Sequence, residues 1–207
     1  MILMTATADT TLTIEAAEST GATKTISYRI DPSASRFTVQ AFAEGLFSAF
    51  GHNPRFNAAD LGGEVRMEEG NLASASLELI VNAGSLRVAD DLSEKDRVEI
   101  ERMMHDDVLE TSRYPEIVFK GQAAGMDRIY EGFYKVKIVG RLSLHGTTRE
   151  HAIETQVRLV ENGLRAEGET ELRQSDYGIK PVSVAAGTLK VKDEVKLSFN
   201  IVSEVKE

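Results

Sequence analysis

Hydrophobic and polar residues alternate along most of the sequence. In one stretch Val136, Ile138 and Leu142 share one parity, whereas Lys135 and Lys137 take the other. A period of two places successive side chains on opposite faces of the chain, which is the signature of a β-strand. One apolar and one polar face is typical of an antiparallel sheet with one side exposed to water. The alternating stretches are residues 37–41, 73–81, 117–119, 136–144, 153–159, 166–172 and 195–201.

Glycine-containing and polar segments separate these stretches and predict turns. Asn162 and Gly163 lie between two alternating stretches, which favours a β-hairpin at that point. About eight strands joined by such turns predict an all-β fold, either a closed antiparallel barrel or a sandwich. The predicted turns are Gly62-Gly63, Asn82-Ala83-Gly84, His145-Gly146 and Glu161-Asn162-Gly163.

One segment follows a helical period instead. Ser93 precedes an acidic first turn, as a helix-capping residue does. We therefore predict one short helix from about Glu94 to about His105. Residues 90–110 contain nine acidic and three basic residues, which we interpret as a solvated helix face rather than a partner site. The apolar residues at helical spacing are Ile100, Met103, Met104 and Val108.

The composition excludes several classes of function. The 207 residues include no cysteine, so disulfides, thiolate metal sites and cysteine nucleophiles are ruled out. A net charge of -9, from 33 acidic and 24 basic residues, argues against nucleic-acid binding through the phosphate backbone. It also argues against charge-driven docking on an anionic membrane. No apolar run approaches the ~20 residues of a transmembrane helix, so we expect a soluble protein without stable membrane insertion.

Residues 1–24 differ in composition from the rest of the chain. They are rich in Thr, Ala and Glu and contain no aromatic residue, so we expect a flexible N-terminal tail before one folded domain at residues 25–207. The sequence does not begin with a basic region followed by an apolar run, as a secretory signal would. We therefore expect a cytoplasmic location, and a periplasmic one only if translation starts further upstream.

The histidines are the usual candidates for proton transfer near neutral pH. His145 and His151 bracket residues 146–150, which we interpret as a hairpin tip. Such a tip could place both imidazoles on one metal ion, with Glu150 or a distant His52 as further ligands. Exposed loop histidines explain the same pattern more simply. The sequence has no Gly-x-Ser-x-Gly elbow and no glycine-rich phosphate loop, so we predict no catalytic residue, no metal and no cofactor.

Short motifs occur in a fixed order between Tyr28 and about Ser203. They resemble the motifs of the YceI-like family, the polyisoprenoid-binding proteins with an extended lipocalin-like barrel. The motifs are Tyr28-x-Ile30-Asp31 with Ser35-x-Phe37-x-Val39, residues 113–119 (RYPEIVF), residues 140–149 (GRLSLHGTTR), residues 175–179 (SDYGI) and Val191-x-Asp193-Glu194-Val195.

The resemblance implies an antiparallel, extended lipocalin-like β-barrel with helical insertions at one end and no enzymatic activity. It implies a carrier with an apolar tunnel for a long-chain isoprenoid or fatty-acyl lipid, such as a polyprenyl chain, a quinone tail or a fatty-acyl amide. Strand parity then selects the residues that face such a tunnel. The lining candidates are Phe37, Val39, Phe47, Leu77, Leu79, Phe119, Ile138, Leu142, Leu144, Leu197 and Phe199.

The residues themselves leave alternatives open. Small inward residues such as Ala75 and Ala166 leave room for a cavity, but larger side chains could fill it. Residues 43–52 place three large apolar side chains between two glycines, as the mouth of a pocket or as a bent strand would. A solidly packed structural barrel and a metal-dependent enzyme using His145 and His151 therefore stand beside the lipid carrier. A homodimer, the commonest oligomer, is also left open.

Overall fold

Antiparallel strands make up most of the structure, a computed structural model that describes residues 24–44, 53–184 and 189–206. The α-helix α1 spans Glu94–Arg102 and continues as a π-helical segment over Met103–Val108. The strands are β1 (Thr25–Ile30), β2 (Arg36–Gln40), β3 (Ala43–Glu44), β4 (Arg55–Ala58), β5 (Leu61–Glu68), β6 (Asn71–Asn82), β7 (Leu86–Val88), β8 (Glu116–Tyr130), β9 (Phe133–Leu144), β10 (Thr147–Val160), β11 (Gly163–Arg173), β12 (Ser183–Val184), β13 (Leu189–Val191) and β14 (Glu194–Val205).

Eight of these strands close into an antiparallel barrel. Their order around the barrel is β1-β5-β6-β8-β9-β10-β11-β14, and β14 returns to pair with β1. Ile30 lies opposite Ser203 at this closing seam. The barrel is therefore confirmed over the sandwich that the turn pattern also allowed.

Strand β14 divides one edge between two partners. Residues 196–200 pair with β2, whereas residues 203–205 pair with β1. Ser35 holds the corner between β1 and β2, because its hydroxyl donates to the Val202 carbonyl at 3.2 Å and accepts from the Val202 N–H at 3.0 Å. Strands β4 and β7 continue the sheet beyond β2. The wall of the barrel consequently extends outward at one end.

Two predicted hairpins are confirmed. His145 and Gly146 have φ of 50° and 72° and join β9 to β10, which is a type I′ turn. The predicted tip at residues 146–150 is too long, because Thr147 already pairs with Leu144. Gly163 follows the second hairpin turn and pairs with Val160.

The turn predicted at Gly62-Gly63 is wrong. Both glycines lie inside β5, where Gly62 pairs with Ile80 and Gly63 with Leu79. Gly63 has a φ of 138°, and a Cβ there would clash with the Glu78 carbonyl of the neighbouring strand. Gly63 therefore allows two strands to approach closely, and a glycine that does this gives the same sequence signal as a glycine in a turn.

The predicted helix is confirmed at its first residue and differs at its last turns. The Ser93 hydroxyl accepts a hydrogen bond from the Asp96 N–H at 3.2 Å, so the helix is capped as expected. The α-helical hydrogen bonding ends at Arg102, and a π-helical segment carries the chain on to Val108. Met104, on this segment, is buried against Phe56 and Leu86.

The core divides along the barrel axis. A central cluster includes Phe37, Phe119 and Leu142. A second cluster, which includes Met67 and Leu164, lies towards the end opposite the helix. We call the end that carries α1 and the β9–β10 turn the helix end.

Candidate functional site

Apolar side chains line a cavity inside the barrel, the barrel cavity, of about 100 Å³. Its walls come from alternate residues of the strands, because each barrel strand turns every second side chain inward. The predicted lining residues that lie here are Phe37, Leu77, Leu79, Phe119, Ile138, Leu142, Leu197 and Phe199.

A larger cavity of about 500 Å³, the helix-end cavity, lies between the barrel and the helical segment. The predicted residues Val39 and Leu144 line it from the strands. From the sequence we did not predict the lining residues that come from outside the long strands. The helical spacing of Met103 and Met104 from Ile100 was a signal that could have identified these three. The missed apolar residues include Phe56, Leu86, Ile100, Met103, Met104, Leu109 and Ile179.

The two cavities meet at shared side chains. Phe37, Ile117, Leu142 and Leu197 line both of them, and we call these four residues the waist. The β-sheet register places two of them beside other lining residues. Leu197 pairs with Val39, which lines the helix-end cavity, and Leu142 pairs with Phe119, which lines the barrel cavity. The two cavities are therefore adjacent, with these four side chains between the helix end and the inside of the barrel.

Each predicted lining residue that the structure describes faces one or both cavities. Phe47 and His52 lie outside the described residues, as does most of segment 43–52. Ala43, at the start of that segment, lines the helix-end cavity. Parity identified the inward residues because a strand keeps its period of two between turns. Contact of these residues with a ligand stays a prediction.

Polar side chains in the barrel cavity are paired within the protein. His151 Nε2 lies 2.9 Å from Thr170 Oγ1, and the Thr155 hydroxyl donates to the Glu167 carbonyl at 2.9 Å. Burial lowers the pKa of the His151 imidazole, because desolvation disfavours its charged form. The ring is consequently held neutral further into the acid range than an exposed histidine.

Among the described residues that line the two cavities, those with charged side chains all line the helix-end cavity. Asp90 accepts from the Arg55 N–H at 2.7 Å and from Arg55 Nε at 3.0 Å. A hydrogen bond from Arg102 lowers the pKa of Glu99. The charged residues of the lining are Asp90, Asp96, Glu99 and Lys190, with more acids than bases.

The structure does not bring together the residues of the predicted metal site. His145 sits at the β9–β10 turn, with its ring centroid 4.4 Å from that of Tyr114. His151 faces the barrel cavity, whereas Glu150 precedes it on the opposite, exposed face of β10. No cluster of three or more His, Asp or Glu residues with metal-site geometry occurs in the described ranges. The arrangement that motivated a metal-dependent enzyme is therefore wrong.

A closed antiparallel barrel with an internal apolar cavity defines the lipocalin-like class of folds. The chain matches the YceI-like domain family over residues 28–203. It therefore belongs to the YceI-like family. No curated protein matches the sequence significantly.

Solved structures share this fold at low sequence identity. BcnA of Burkholderia cenocepacia is 16% identical, with a TM-score of 0.63 over 84% of this chain and 98% of that chain. A polyisoprenoid binding domain from Saccharophagus degradans is 17% identical, with a TM-score of 0.62 over 86% and 98%. The Campylobacter jejuni YCEI protein is 14% identical, with a TM-score of 0.54 over 73% and 85%.

No helix in the described ranges has the length and apolar character needed to cross a bilayer.

Proposed function

We propose that the protein binds and carries a long-chain lipid, an isoprenoid or fatty-acyl chain, in the apolar tunnel formed by the barrel cavity and the helix-end cavity. The observation that carries this proposal is the waist, because its four shared side chains place the two cavities next to each other. A shift of these side chains would join the cavities into one path. A chain lying along this path would be enclosed by the protein over much of its length.

The energetics favour such a ligand. Burying one methylene group contributes about 0.8 kcal/mol, so a stretch of about ten carbons gains about 8 kcal/mol before the costs of binding. A net free energy of about 8 kcal/mol corresponds to a dissociation constant of about 1 μM, so tight binding requires a longer buried chain that also offsets the costs of association. The helix-end cavity, at about 500 Å³, is within the size range of small-molecule sites.

The family adds support of a different kind. The Saccharophagus degradans domain is described as polyisoprenoid binding, and its fold matches this chain over nearly its whole length. Because the two sequences are only 17% identical, this comparison shows a common fold and does not show a common ligand. The ligand class is therefore our inference from the cavities and the family together. The cytoplasmic location and the absence of catalysis stay predictions.

A substitution at the waist tests the proposal. Leu142 is 5% exposed and lines both cavities, so Leu142→Arg would place a charge across the path. We expect the folded variant to lose retained lipid and to lose binding of a fluorescent fatty-alcohol probe. Circular dichroism establishes whether the variant is folded. Leu142→Phe, which narrows the waist without adding a charge, is a second variant and should bind the probe more weakly than the unmodified protein.

Undiminished lipid retention in a folded Leu142→Arg protein would contradict the proposal. The control is Arg141→Leu, because Arg141 precedes Leu142 on the exposed face of β9 and does not line either cavity. This variant should bind the probe as the unmodified protein does.

A further inference from the structure

A polar pair lies beside the waist, in a cavity whose lining is mostly apolar. His151 Nε2 is 2.9 Å from Thr170 Oγ1, and both residues line the barrel cavity. Thr170 pairs in register with Leu197, which is a waist residue, so the polar pair lies close to the junction of the cavities. Apolar residues such as Leu72 and Val157, which belong to the second core cluster, also line the barrel cavity.

The pair retains hydrogen-bonding capacity. A neutral imidazole offers one donor and one acceptor nitrogen, and a threonine hydroxyl can donate once and accept twice. Within the described part of the chain, His151 Nδ1 has no hydrogen-bond partner. A ligand group that pairs with this site would compensate the desolvation of polar atoms on both sides.

The charges of the tunnel oppose an anionic ligand. No lysine or arginine is among the described residues that line the barrel cavity. At the helix-end cavity, Lys190 faces a lining that also carries Asp90, Asp96 and Glu99. A phosphate, diphosphate or carboxylate buried beside the waist would lack the cationic partners that such groups need. An uncharged polar group has no such requirement.

The unequal volumes of the cavities orient the ligand. The helix-end cavity offers about 500 Å³ and the barrel cavity about 100 Å³. The chain of a lipid fits the larger space, and only a small group fits beyond the waist. A head group directed into the barrel would therefore meet His151 and Thr170.

We propose that the tunnel selects lipids with an uncharged hydrogen-bonding head group, a hydroxyl, carbonyl or amide, and that His151 and Thr170 bind this group beside the waist. The inference rests on the proposed lipid-binding function. It narrows the ligand class to uncharged lipids and assigns its recognition to two residues of this chain.

The test compares three probes that share one isoprenoid skeleton. Geranylgeraniol, geranylgeranyl diphosphate and the parent hydrocarbon are each titrated against a fluorescent fatty-alcohol probe bound to the delipidated full chain, and displacement of the probe is measured. We expect the alcohol to bind about tenfold more tightly than the hydrocarbon, as one additional buried hydrogen bond allows, and more tightly than the diphosphate.

Variants assign the preference to the polar pair. His151→Leu should reduce the affinity for the alcohol to that for the hydrocarbon, while hydrocarbon binding stays unchanged. Thr170→Val, which keeps the side-chain volume, should lose part of the preference for the alcohol over the hydrocarbon. His151→Gln, which keeps a hydrogen-bonding group, should show more of this preference than His151→Leu. Glu150→Gln is the matched control, because this exposed neighbour faces away from the tunnel.

Two results would overturn the inference while leaving lipid binding intact. One is a diphosphate that binds the unmodified protein as tightly as the alcohol. The other is a folded His151→Leu or Thr170→Val protein that keeps the full preference for the alcohol over the hydrocarbon. Failure of both the alcohol and the hydrocarbon to bind would overturn the proposed function itself.

Discussion

At the scale of single residues, the absence of a side chain is as informative as its presence. Gly163 begins β11 against β14, and a Cβ at this position would clash with the Ser203 carbonyl. Gly62, in β5, has nothing within 4 Å of the corresponding position. The two glycines therefore differ in what they contribute to stability, although both lie in strands.

We expect Gly163→Ala to destabilise the protein by about 2 kcal/mol, because the added methyl group must displace a paired strand. Gly62→Ala should change stability by no more than about 0.5 kcal/mol. Urea unfolding followed by circular dichroism measures both values. Equal stability of the two variants would show that β14 does not approach Gly163 as closely as described.

His151 gives the stability of the protein a dependence on pH. Its pKa is lowered by burial, so the unfolded chain binds the proton more readily than the folded chain. The free energy of unfolding should therefore fall as the pH drops below about 6.5, the ordinary histidine pKa, towards the lower folded-state value.

The measurement is urea unfolding of the unmodified protein and of His151→Leu between neutral and mildly acidic pH. The difference in stability between them should shift in favour of the variant as the pH falls. A difference that stays constant across this range would contradict burial of the imidazole in its neutral form.

At the scale of elements, the sequence predicts regular strands well and short ones poorly. Alternation located the long barrel strands because a run of inward and outward residues repeats several times within each. Strands β3, β7, β12 and β13 are two or three residues long, so they contain no repeat to detect. Their pairing depends on contacts between distant parts of the chain.

The helix shows the same limit. Its first residue was predictable from Ser93, a local capping signal, whereas the change to a π-helical segment after Arg102 was not. That segment buries Met104 against Phe56 and Leu86, which are distant in sequence. Tertiary packing thus decides how the helix ends.

The cap makes a prediction at this scale. Ser93→Ala removes the acceptor for the Asp96 N–H and should destabilise the protein by about 1 kcal/mol. Ser112→Ala, at an exposed turn, serves as the control and should leave stability within about 0.5 kcal/mol. Thermal unfolding checks both, and equal melting temperatures for the two variants would refute the role of the cap.

At the scale of the whole molecule, the divided edge of β14 explains why the protein has two cavities. Pairing with β1 closes the barrel, and pairing with β2 extends the wall towards β4 and β7. The helix-end cavity is bounded by this extension together with the helical segment. Alternation could predict inward-facing residues, but the second cavity depends on long-range topology that alternation does not encode.

The lipid itself gives the most direct test of the central claim. Protein purified under mild conditions is extracted with organic solvent, and the extract is compared by mass spectrometry with that of Leu142→Arg and of an unrelated control protein. We predict an enriched long-chain isoprenoid or fatty-acyl lipid at about one molecule per chain, absent from both controls. An extract from the unmodified protein that matches both controls would contradict the account.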